Sequence, residues 1–176
     1  SFSCGQDQVC DFLQKLRPAG FIGELKKGSL KALRELFEQT VSDLTFIVYG
    51  DERLSFREAY AGAARIAQVL VRDYGVGKGD RVAISMRNYP EWMLAFSAVT
   101  SVGAIAVAMN ALWHPDEMQY ALADCGAKLL LADQERVDRF EQFGEPSVVP
   151  VVAVRPTRAN PGVPALRDLL GALGEV

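Results

Sequence analysis

Residues 81–110 read RVAISMRNYPEWMLAFSAVTSVGAIAVAMN. The stretch opens on an apolar run, 81–86, carrying the β-branched Val82 and Ile84, and this predicts a strand. Pro90 and Glu91 then start a helix that runs to Val102. Proline suits the first helical position, where its missing N–H has no partner to lose, and Glu91 faces the positive end of the helix dipole. Trp92, Met93, Leu94, Ala95, Phe96, Ala98 and Val99 make that helix apolar almost all round, as packing on a sheet requires. Gly103 ends it, and 104–109 resumes as a second strand. A helix between two strands makes them parallel. Strands that are continuously apolar rather than alternating are buried on both faces, so the expected class is α/β, a mostly parallel sheet flanked by helices.

Reading downstream, Pro115, Asp116 and Glu117 open a helix with Met118, Ala121, Leu122 and Cys125 on one face and Gly126 as its stop. A third strand follows at 128–132, a short helix at 135–143, and a fourth strand at 147–154. From Arg155 the chain carries Pro156, Pro161 and Pro164, which predicts a loop before a last helix at 165–173. Upstream, Leu30, Leu33, Leu36, Phe37 and Val41 recur at helical spacing behind Ser29, predicting a helix over 29–41. Thr45-Phe46-Ile47-Val48-Tyr49, a turn at Gly50-Asp51-Glu52, and Arg53-Leu54-Ser55-Phe56 predict a small β-hairpin. Ser55 followed by Glu58 is a capping box for the next helix, which Gly75 closes. Residues 1–28 are broken by Gly5, Pro18, Gly20, Gly23 and Gly28 and are expected to be irregular, with a short helix over 9–16. The organisation is therefore an irregular segment 1–28, an α/β unit 29–154, and a linker with a terminal helix at 155–176.

Composition narrows the function classes. The 176 residues carry 19 Lys plus Arg against 22 Asp plus Glu, a net charge of −3 with no basic face, which argues against nucleic-acid binding. Cys4, Cys10 and Cys125 form no C-x-x-C pair, so neither a disulfide framework nor a zinc site is indicated, and a cytoplasmic protein is expected. No apolar run is long enough to span a bilayer. Phe12, Leu13 and Leu16 beside Lys15 and Arg17 leave room for a peripheral membrane contact.

Residues able to carry chemistry are scattered. Gly75-Val76-Gly77-Lys78-Gly79-Asp80 imitates a phosphate loop, but such loops follow a strand and open a helix, whereas this one follows a helix and precedes a strand. It reads as a turn. His114, before a helix-starting proline, reads as a cap or pocket lining. Asp51-Glu52, Asp116-Glu117 and the acidic residues between Asp133 and Asp138 read as solvated helix starts and loops. Ser85, Ser97 and Ser101 lack a nucleophile-elbow context. Trp92 and Trp113 read as core or pocket wall, and Cys125 as a small buried hydrophobe. No catalytic, cofactor-binding or metal residue is assigned.

An ordered set of fragments carries a resemblance. Leu54-Ser55-Phe56-x-Glu58; Gly75-Val76-x-Lys78-Gly79-Asp80-Arg81-Val82-Ala83-Ile84; Asn88-x-Pro90-Glu91; Gly103-Ala104-Ile105-x-Val107-x-x-Asn110; and Glu117-x-x-Tyr120-x-Leu122-x-Asp124-x-x-Ala127-Lys128 are spaced as in the adenylate-forming enzymes. Residues 30–140 resemble the start of acyl-CoA synthetases of this AMP-binding family. Asn110-Ala111-Leu112-Trp113, with Ala132-Asp133-x-Glu135-Arg136 downstream, looks most like the fatty-acyl and medium-chain CoA ligases. Ala106-Val107-Ala108 departs from the proline common there. The resemblance implies the amino-terminal subdomain of the adenylate-forming fold, within an acid–thiol ligase that uses ATP, Mg2+ and CoA on a carboxylic acid, a medium- or long-chain fatty acid first. It also implies that the family's phosphate loop, adenine and ribose motifs and late lysine have no counterpart in these residues. The chain is then a truncated, inactive fragment, holding no cofactor tightly and prone to self-association through a cut face. Two alternatives stand beside this reading: a stand-alone, non-catalytic α/β binding module, and the adenylation domain of another adenylate-forming enzyme.

Overall fold

The computed structural model describes residues 33–110, 112–143 and 147–173. Cys4, Cys10, the helix expected over 9–16 and the start of the one expected at Ser29 lie outside them. Among the described residues six helices and six strands follow in order: α1 (Leu33–Gln39), β1 (Thr45–Tyr49), β2 (Glu52–Ser55), α2 (Phe56–Tyr74), β3 (Arg81–Ser85), α3 (Pro90–Ser101), β4 (Ile105–Ala108), α4 (Pro115–Asp124), β5 (Ala127–Asp133), α5 (Gln134–Phe143), β6 (Val151–Val154) and α6 (Leu166–Gly171).

β1 and β2 form the antiparallel hairpin, turning at Gly50, whose φ of 55° suits a tight two-residue turn. The other four strands make one parallel sheet in the order β4-β3-β5-β6. Side chains of β3 alternate between two cores. Val82 and Ile84 join Ile66 and Leu70 of α2, Leu94, Ala98 and Val99 of α3 and Leu166 of α6 on one face. Ala83 joins Met118 and Leu122 of α4 and Val137 and Phe140 of α5 on the other. Helices thus cover both faces, as the unbroken apolar strands demand.

Two expectations need correction. The fourth strand is β6 alone, beginning at Val151 rather than Ser147; before it, Pro150 contributes only its carbonyl, to Leu130 N–H at 3.0 Å. A proline has no N–H to extend the ladder, so pairing starts one residue later. β4 is not buried like its neighbours, for it is an edge strand and Ile105 is 48% exposed. The opposite edge is covered, because Ala153 N–H reaches Pro164 O at 2.9 Å in a bridge to Ala165.

α2 is the best-delimited element. Glu58 N–H donates to Ser55 Oγ at 3.2 Å while Ser55 N–H donates to Glu58 Oε2 at 2.8 Å, closing the box expected from the sequence. Gly75 ends the helix at φ 59°, its N–H on Val71 O at 3.1 Å and that of Val76 on Leu70 O at 2.9 Å. Ser55→Ala removes the cap and is expected to cost about 1 kcal/mol in urea denaturation, with an unchanged slope; a midpoint equal to that of the parent chain would show the box to be ornamental.

Candidate functional site

In an open α/β sheet, ligands gather beyond the carboxyl ends of the strands where the strand order reverses. Here the chain leaves β3 for β4 on one side and returns to β5 on the other, so that point lies between β3 and β5. Asp133, the last residue of β5, is 3% exposed, and Arg136 is 2% exposed. The Asp133 carboxylate accepts from the Arg87 N–H at 2.9 Å, from the Arg136 N–H at 3.2 Å, and from the Arg136 guanidinium at 3.1 and 3.3 Å. Glu135 accepts from Arg87 at 2.9 Å, Arg136 at 3.0 Å and Arg139 at 2.8 Å, and Arg139 also donates to Trp113 O at 2.9 Å. The Arg87 guanidinium is the main reason the Glu135 carboxyl sits below its usual range. This corrects the solvated reading for Asp133 and Arg136, which are buried as an ion pair at the end of β5, while Glu135 and Asp138 stay partly open to solvent. Gln134 is likewise buried and exchanges amide bonds with Asn160 at 2.8 and 3.0 Å, while Asp138 takes Arg158 at 2.7 Å.

The remaining candidates lie apart. His114 precedes α4; its N–H donates to Glu117 Oε2 at 2.7 Å and its exposed ring meets Asp116 at 2.7 Å, which holds the Asp116 carboxyl low. The Gly75–Asp80 segment is a turn at the amino end of the sheet. There Lys128 Nζ reaches Gly75 O at 2.7 Å and Asp80 at 2.9 Å, and the Gly77 N–H reaches Asp80 at 2.8 Å. Lys128 first, then that N–H, hold the Asp80 carboxyl below the ordinary range. Ser85 is fully buried, with no partner for its hydroxyl among the described residues. Cys125 is half-buried, its Sγ 3.6 Å from Leu122 O. Trp92 stacks on Phe96 at 5.8 Å beside the core, and Trp113 packs against the α4–α5 face.

The described residues also line concavities, two of them as follows. One, about 200 Å³, is apolar and lies between α1, β1, α2 and α3, lined by Phe37, Phe46, Phe56 and Leu94, with Ser97 and Ser101 at its wall. The other is an open groove of about 610 Å³ beside β4 and α4, lined by Val107, Trp113, Tyr120 and Asp124 among others.

One cluster escaped the sequence reading. Arg155, expected in a loop, has φ 50°, a left-handed conformation costing a non-glycine residue about 1–3 kcal/mol. Its guanidinium holds Glu52 and Glu91 and lies against Tyr49 and Tyr89. Glu52 above all raises its pKa, and Glu52 is itself held low by Arg155. A positive φ has no signature in an arginine codon, and partners 64 and 103 residues away are invisible to local pattern.

Among the described residues no three His, Cys, Asp or Glu side chains are grouped to hold a cation, and the glycine-rich turn points no helix N-terminus at an anion.

A family model described as AMP-binding enzyme matches residues 33–166. A 3-hydroxybenzoate–CoA/4-hydroxybenzoate–CoA ligase of Thauera aromatica is 33% identical over 134 residues, 75% of this chain and 25% of that protein. A medium/long-chain-fatty-acid–CoA ligase of Mycobacterium tuberculosis is 37% identical over 102 residues, 58% of this chain and 17% of that protein. Among solved structures, an anthranilate CoA ligase in complex with anthranoyl-AMP matches with a TM-score of 0.73 at 25% identity, over 80% of this chain and 28% of that one. The chain thus spans a quarter or less of the length of these curated relatives.

Asp133→Ala removes the buried carboxylate beside the buried Arg136 charge and is expected to cost about 3 kcal/mol in urea denaturation. Adding Arg136→Met recovers much of that loss. An Asp133→Ala cost under about 1 kcal/mol would mean the buried pair is not what holds the end of β5.

Proposed function

The chain belongs to the AMP-binding enzyme family, and from that premise we propose that it is the amino-terminal part of an ATP-dependent CoA ligase. The observation that carries this is the match over residues 33–166, combined with relatives of which the chain spans only 25% and 17%. The reaction of such an enzyme has two halves. A carboxylate attacks the α-phosphorus of ATP to give an acyl-adenylate and pyrophosphate, and the CoA thiolate then displaces AMP to form the thioester. Charge on the phosphates needs cations and fixed donors around it. Among the described residues no three His, Cys, Asp or Glu side chains gather to hold a cation, and Asp133 pairs with Arg136 at the end of β5, which supports placing that chemistry elsewhere in the enzyme.

The role we assign to this chain is therefore scaffold, together with part of the wall around the acyl group. ATP, Mg2+ and CoA belong to the whole enzyme. For the acid we propose a medium- or long-chain fatty acid, supported by the 37% identity to the mycobacterial ligase and by the Asn110–Trp113 stretch. An aromatic acid is the second reading, favoured by the longer match to the hydroxybenzoate ligase.

The test is ATP–pyrophosphate exchange with octanoate, palmitate and 3-hydroxybenzoate, run on the 176-residue chain and on the polypeptide encoded when the reading frame is followed past Val176. The expected outcome is no exchange by the chain and fatty-acid-dependent exchange by the longer polypeptide. Exchange by the chain itself, or a stop codon directly after Val176, would overturn the proposal. Exchange by the longer polypeptide with 3-hydroxybenzoate alone would replace the fatty acid by the aromatic one.

A further inference from the structure

The hairpin β1–β2 is poorly founded by itself. Two strands with no third are marginally stable in water. Val48 is open to solvent at 60%, Ile47 packs against the main core, and the Phe46 ring lies 4.4 Å from that of Phe56 at the start of α2. Its backbone ties run to the start of α2. Phe56 N–H reaches Leu44 O and Arg57 N–H reaches Ser42 O, both at 3.0 Å, and Arg57 pairs with Asp43 at 2.8 Å. None of these bonds joins it to the sheet.

The tie to the sheet is Arg155. Two guanidinium nitrogens hold the two Glu52 oxygens at 2.7 Å each, a fork on the hairpin itself, while Nε donates to Glu91 in the first turn of α3 at 2.8 Å. The same group lies 5.3 Å from the Tyr49 ring of β1 and 5.2 Å from the Tyr89 ring ahead of α3, and those rings meet edge to face at 5.6 Å. One side chain thus joins the hairpin, the amino end of α3 and the carboxyl end of β6. The last two lie on the rim where parallel sheets receive ligands. The backbone reaches this place only by accepting a positive φ of 50°, a strain that persists where surrounding contacts over-determine it.

We propose that the hairpin is a strap latched across the carboxyl-terminal rim of the sheet by Arg155, which opens as a unit when the latch is withdrawn while the sheet stays folded. Arg155 is a positioning residue here. The geometry is one that lysine cannot copy, since a single ammonium does not present a planar fork to one carboxylate, a third donor to another and a flat cation to two rings. The strap stands independently of the reaction proposed above, because it is defined by contacts within this chain.

Hydrogen exchange on the 176-residue chain reads the latch directly, since local opening and global unfolding separate by which amides accelerate. Arg155→Gly is the informative variant, because glycine accepts the positive φ and only the side chain is lost. The expected result is at least tenfold faster exchange of protected amides in β1 and β2, with those of β3 and β5 within about threefold of the parent. Glu52→Gln, which leaves Arg155 and its backbone in place, is expected to accelerate the same amides, and Arg155→Lys likewise. Glu52→Gln added to Arg155→Gly is expected to accelerate them no further, because both act on one contact. Hairpin exchange unchanged in Arg155→Gly or in Glu52→Gln, or acceleration of β3 and β5 in step with the hairpin, would overturn the proposal.

Discussion

Strand β3 is paired on both sides, parallel to β4 and to β5, and the rest of the structure depends on that pairing. A strand so placed has no solvent face. Its side chains must be covered above and below, and the chain can return to each neighbour only through a helix. α2, α3 and α6 supply one cover, and α4 and α5 the other. Ala83, Leu130, Ala132 and Ala153 face the α4–α5 layer, while Val82, Ile84, Leu129 and Leu131 face α2 and α3.

The same constraint gathers polar groups at the two ends of the strands, because the interior has no water to receive them. At the amino end, Lys128 and Asp80 fasten the turn after α2 to β5. At the carboxyl end, Asp133 ties Arg136 and the Arg87 N–H beyond β3 to the end of β5, and Arg155 joins the end of β6 to the hairpin. Charged side chains at both ends thus tie strands to the segments around them.

Local signals in the sequence reached the elements and stopped at their long-range ties. The Ser55–Glu58 box, Pro90 and Pro115 at helix starts, and the glycines at 75, 103 and 126 act within a few residues, so hairpin, helices and sheet class could be read directly. The edge position of β4 could not, because Ile105-Ala106-Val107-Ala108 is as apolar as an interior strand. Nor could the burial of Asp133, Gln134 and Arg136, whose charged spelling matches that of a solvated helix start; only their partners at Arg87 and Asn160 reveal the difference. The sequence assigns no catalytic residue, and its functional signal lies in the order and spacing of ordinary-looking fragments. Those fragments are largely fold-bearing: a cap, a turn, two helix starts and two strands.

The proposed function implies a division of labour, in which these residues supply scaffold and the nucleotide chemistry belongs to the rest of the enzyme. Titration calorimetry of the 176-residue chain with ATP in the presence of Mg2+, and separately with CoA, tests that division most directly. The account predicts no saturable heat for either ligand up to millimolar concentration. A saturable, one-to-one isotherm for ATP would contradict it, by placing a nucleotide site within these residues and making the chain a binding module in its own right.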